Sequence, residues 1–145
     1  MAVSFSAREP DRSFDLPTIE FVRDSLVNGS VVRSPLAGDS LTVGPLAADS
    51  AVRVGVRNGS RTRVTLSGLR VGIPTYPDGQ EGGWITGAFL SRTFATFDDP
   101  AELIVVLNPA GLPAGRYLGR LVISSESPGL EQVEPKVLKV ILMVN

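Results

Sequence analysis

The fold turns on residues 111–125, GLPAGRYLGRLVISS. A tyrosine that enters a strand directly after a glycine-containing turn can send its hydroxyl back to the backbone just upstream, a corner that fixes a Greek-key crossover. Tyr117, two residues after Gly115, meets that description. The period of two then sets Tyr117, Gly119, Leu121 and Ile123 on one face, leaving Leu118 and Val122 on the other. The single tryptophan, Trp84, is the natural plug for the inner face.

Working outward from this strand, the same short period recurs. Runs at 51–57, 62–71, 101–107, 116–124 and 136–144 read as strands. In the first, Val52, Val54 and Val56 point one way while Arg53 and Arg57 point the other, as in a half-buried antiparallel strand. Fifteen glycines and eleven prolines punctuate the 145 residues, and no segment keeps helical spacing for more than about one turn. Asn28-Gly29 and Asn58-Gly59 each mark a hairpin or short connection. The expected fold is all-β: a two-sheet antiparallel sandwich with Greek-key connections, spanning residues 41–145, preceded by an extended arm or hairpin at 1–40. The arm is broken by Pro10, Pro17 and Pro35, which restrict an extended piece to an edge.

The stretch GGWITGAFLSRTFATFDDPAELIVVLNPAGLPAGRYLGRLVISS, from Gly82, with the closing KVLKVILMVN, resembles the immunoglobulin-like sandwich domains of the BACON type. In that family a tryptophan is followed by a strand, then an apolar strand, a Gly-Leu-x-x-Gly-x-Tyr-x-Gly corner and a final edge strand. Here the corner is Gly111, Leu112, Gly115, Tyr117 and Gly119. The resemblance implies an Ig-like sandwich over residues 41–145, with Trp84, Gly115, Tyr117 and Gly119 in structural roles. It also implies the settings in which such domains occur, as ligand-binding or spacer modules of carbohydrate-active or surface proteins. The fold alone does not carry a function.

Composition excludes much chemistry. There is no cysteine and no histidine, which removes disulfides, thiol nucleophiles, Cys/His zinc sites and the Ser-His-Asp triad. Fourteen basic residues stand against fifteen acidic, and this balance argues against nucleic-acid or membrane-surface binding, which calls for a basic excess. No apolar run is long enough to span a bilayer, and the start MAVSFSAREPDRS lacks the pattern of a signal peptide, so the expectation is a protein made in the cytoplasm. Asp98-Asp99 and Asp78 with Glu81 read as turn residues rather than as a calcium site or a paired-acid centre. No nucleotide-binding or nucleophile-elbow motif occurs. No catalytic, cofactor-binding or metal-ligating residue is assigned.

What remains are surfaces. Arg53, Arg57, Arg61, Arg63 and Arg70 fall together with no acid among them, a candidate docking surface for an acidic partner or, failing that, a solvated sheet face. Phe5 and Phe14 head the apolar residues of the arm, which bury either against the sandwich or on a neighbouring subunit. Leu118 and Val122, with a last strand apolar at both parities, give a sheet apolar on both sides, whereas a monomeric sandwich exposes a polar outer face. Residues 1–72 carry nine basic and seven acidic groups and residues 73–145 five and eight, a polarity suited to head-to-tail contacts. The expectation is a non-enzymatic structural protein that packs against itself or a lattice protein, in its most concrete form a virion component of a tailed phage or similar particle, such as a decoration or tail protein. The alternative is a carbohydrate- or cell-surface-binding module, for which a glycan would be the ligand.

Overall fold

A computed structural model describes residues 17–60, 65–126 and 133–145. The described strands are β1 (Ile19–Val27), β2 (Ser30–Pro35), β3 (Ser40–Leu46), β4 (Ser50–Asn58), β5 (Arg70–Val71), β6 (Ile85–Leu90), β7 (Ala101–Leu107), β8 (Gly115–Ser124) and β9 (Lys136–Val144). They form a β-sandwich of a five-stranded sheet, in the order β2-β1-β4-β7-β6, and a four-stranded sheet, β3-β9-β8-β5. The chain changes sheets between β2 and β3, β3 and β4, β4 and β5, β5 and β6, and β7 and β8, which is the Greek-key crossing the Tyr117 corner foretells.

Period-two alternation builds the core. In β7 the burial alternates perfectly, with Ala101, Leu103, Val105 and Leu107 fully inside. Across from them on β4, Val54 pairs with Leu103 and Val56 with Ala101. From the other sheet come Leu121 and Ile123 of β8, Leu138, Val140 and Leu142 of β9, and Leu41 and Val43 of β3. Each such side chain taken from water stabilises the fold by roughly 1.5–3 kcal/mol.

Trp84 is 2% exposed and lies in this core, and its indole N–H donates to the Glu81 carbonyl at 2.8 Å. It lies over Gly119, where an added Cβ would sit 3.1 Å from the Trp84 ring and 2.8 Å from Ile85. The inner face of β8 therefore needs its glycine, because the indole occupies the space a side chain would take. The Tyr117 hydroxyl donates to the Pro113 carbonyl, closing the corner, and Gly115 opens β8 at φ 156°.

Several expectations change in detail. The antiparallel sandwich contains one parallel pair, β3 with β9. The last strand is consequently not an edge: β9 lies between β3 and β8. The run at 62–71 is only partly described and yields strand at Arg70–Val71 alone. Leu66 and Leu69 are both buried, a spacing of three that one straight strand cannot bury on one face, and Gly68 at φ +59° turns the chain between them. This segment is the crossover between sheets, tied to 93–95 through Leu66 and Ala95.

Asn28 and Gly29, at φ 53° and 81°, close the β1–β2 hairpin as a type I′ turn. Asn58-Gly59 serves as a connection: the buried Asn58 amide oxygen accepts from the Thr18 and Ser60 N–H groups. That contact fastens the start of β1 to the end of β4. Residues 19–22 pair with 58–55 of β4, and Ile19, Phe21 and Val22 are buried. The segment preceding residue 41 thus contributes a strand to the core.

Candidate functional site

The arginine cluster disperses when folded. Arg53 and Arg57 stand on β4 in the five-stranded sheet and Arg70 on β5 in the other, because the chain changes sheets between them. Arg61 and Arg63 lie outside the described residues, as do Phe5 and Phe14. Each described member already holds a carboxylate. Arg53 reaches Glu102 at 2.9 Å in solvent, and Arg70 pairs with Glu126. Arg57 is 9% exposed; its guanidinium pairs with Glu20 at 2.7 Å and lies 4.1 Å above the Phe97 ring. It pins β1, β4 and the loop before β7 together, so it belongs to the interior of the structure rather than to a docking face.

The carboxylates at 98–99 form part of a stapled turn. Asp99 N–H donates to Thr96 Oγ1, and Arg92 donates to the Asp99 and Pro100 carbonyls. The Asp99 carboxylate meets Arg92 at 2.7 Å, and the hydrogen bond from Arg92 holds its pKa below the ordinary aspartate range. Asp78 and Glu81 sit on the loop that leads into Trp84. Among the described residues no group of three or more acidic side chains gathers as a metal would require, and no buried side-chain nitrogen or oxygen lacks a hydrogen-bond partner.

Two surfaces stand out by exposure. The first is the β1–β2 hairpin. Past Val22 and Gly55 the pairing of β1 with β4 stops, although both strands continue. The ribbon departs from the sheet and leaves an open groove of about 510 Å³. Its charged walls neutralise themselves through Asp24 with Arg33 and Arg53 with Glu102. Beyond the groove Leu26 and Val31 face each other at 74% and 66% exposure, and Val27 and Val32 are exposed on the opposite side. The sequence pattern missed this hairpin's role because SLVNGSVV alternates weakly; the Asn-Gly turn flanked by valines was the available signal.

The second surface is the outer face of β8 and β9. Leu118 is half-buried there and Val122 is 39% exposed, both pointing away from the core as their parity requires. The register joins Leu118 to Ile141, Arg120 to Lys139 and Val122 to Val137. Sequence reasoning did not bring Arg120 and Lys139 together. Their strands are joined by a connection of eleven residues, and only the ladder fixes which residues stand opposite.

Compared with known protein families and with curated proteins, the chain matches none.

Proposed function

We propose that this protein is a non-enzymatic structural component that acts by packing its surfaces into an assembly, in its most specific form a virion component of a tailed phage or similar particle, as a decoration or tail protein. One observation supports this reading most: a two-stranded ribbon leaves the sandwich with large apolar side chains exposed on both of its faces. A lone hairpin is marginal in water, and exposed apolar area of this kind suits a macromolecular contact. The outer face of β8 and β9 adds a second, partly apolar surface. The BACON-type resemblance is compatible with this role, since such sandwiches serve as spacers.

The carbohydrate-binding alternative loses its best ring. Trp84 is in the core, and Tyr76 packs edge-on against it at 5.5 Å with its hydroxyl accepting from the Ile85 N–H.

Light scattering across a concentration series, on the parent protein and on a Leu26→Lys, Val31→Lys double variant, tests the packing reading. The parent is expected to self-associate and the variant to remain monomeric with an unchanged melting temperature. A parent that stays monomeric throughout overturns self-packing. Mass spectrometry of purified particles from the source cells tests the virion form, which falls if the chain is not among their components.

A further inference from the structure

The outer face of β8 and β9 carries a charge arrangement that the fold itself does not explain. Arg120 and Lys139 occupy directly opposed positions in the antiparallel ladder. At such positions Cβ atoms stand about 5 Å apart, and like charges destabilise the sheet. Among the described residues, five other cations that reach solvent hold a carboxylate: Arg33 has Asp24, Arg53 has Glu102, Arg70 has Glu126, Arg92 has Asp99 and Lys136 has Asp39, while Arg23 on the hairpin is in no described ion pair. Among the described ion pairs none includes Arg120, Lys139 or Arg116, which stands on the same face beside Met143. The cationic rung is also framed by apolar ones. Leu118 and Ile141 flank it on one side, Val122 and Val137 on the other, and Ile73 projects at 87% exposure from the segment alongside β8.

We infer that this face docks a protein partner that presents a carboxylate between apolar side chains. Such a carboxylate would receive hydrogen bonds from Arg120 and Lys139 together, relieving their repulsion, while its neighbours cover Val122 and Val137. A second copy using the same face is disfavoured by charge, because a two-fold axis would set two cationic rungs against each other. An anionic bilayer fits less well. Interfacial binding keeps cations at the rim, where they reach the headgroups; here they sit at the centre, and burying the valines would draw both charges toward the hydrocarbon. The inference rests on the packing role proposed above and adds to it the chemistry of the partner.

The test is an amide-shift titration of the full chain with an acetylated, amidated pentapeptide alternating valine and glutamate, alongside the same peptide with lysine for glutamate. A third arm measures cosedimentation with phosphatidylglycerol vesicles. The acidic peptide is expected to shift amides within 116–122 and 137–143, with binding weakened at least about tenfold by Lys139→Glu and by raising salt to about 0.5 M. Lys139→Glu gives Arg120 a counter-charge, so it is expected to fold, and its melting curve shows that loss of binding is not loss of structure. No response to the acidic peptide, or an equal response to the basic one, overturns the inference. Vesicle binding without a peptide response overturns it in favour of lipid. The hairpin variants read self-association through a different element, so either result leaves that test separate.

Discussion

Gly119 shows how a single residue couples the two sheets. Its missing side chain is the space that the Trp84 ring occupies, so the tryptophan and the glycine were each legible in the sequence while their contact was not. Gly119→Val would force the indole and Ile85 to move within a close-packed core. It is expected to cost about 1–3 kcal/mol, read as a fall in the denaturant midpoint with an unchanged slope. A variant of parental stability would mean that the indole has room to shift. Arg57 teaches the complementary lesson. Alternation correctly puts it on the outer side of β4, but whether an outward arginine is free depends on what passes over it, and here Glu20 and Phe97 do.

At the scale of elements, the loop between β6 and β7 is held by the burial of Ala95 beside Leu66 and, nearer β7, by charge. Arg92 reaches the carboxylate of Asp99 and two carbonyls, which fixes the turn that delivers Ala101 into the core. Because Asp99 is more acidic in the folded chain than in the unfolded one, its contribution to stability is present above its unfolded pKa, near pH 4. That contribution is lost as pH falls through the lower folded value. Unfolding curves of the parent and of Asp99→Asn are therefore expected to differ at neutral pH and to converge in acid below the ordinary aspartate range. The group is exposed, so the neutral-pH gap is expected to be small and to shrink with salt. A gap that persists unchanged into strong acid would assign the effect to packing of the turn instead. The β1–β2 hairpin belongs to this scale too: its turn was readable from Asn28-Gly29, whereas its departure from β4 after Val22 was not.

For the whole molecule, the separation into an arm and a sandwich gives way to a shared core. Asn58 ties the start of β1 to the end of β4, Ile19 and Phe21 enter the core from the inner side of the five-stranded sheet, and Val22 is buried on its outer side against Gly55. Deleting residues 1–38 removes all three. At roughly 1.5–3 kcal/mol each, their loss is comparable with the whole stability of a typical domain, about 5–15 kcal/mol. The 39–145 fragment is expected to lack a cooperative thermal transition by circular dichroism, and a sharp transition near the parent's would show that the sandwich is independent of β1. The charge contrast between chain halves does not separate one sheet from the other, because each sheet contains strands of both halves: β2, β1 and β4 lie beside β7 and β6 in one, and β3 and β5 flank β9 and β8 in the other. The cationic rung of Arg120 and Lys139 comes from the half with the acidic excess.

The sequence by itself determined what depends on local periodicity and turn chemistry: an all-β sandwich, strands β7 and β9 to the residue, the Tyr117 corner, the inward set on β8, and the turn at Asn28-Gly29. These follow from side chains that alternate every two residues and from backbone angles that few residues adopt. Tertiary structure alone decided which strands are neighbours, and with that every property of a surface. The parallel pairing of β3 with β9, the covering of Arg57 and the opposition of Arg120 to Lys139 all join residues far apart in the chain. Hydrogen-bond ladders between distant strands set their register by the fit of the assembled core, and no local pattern encodes that fit.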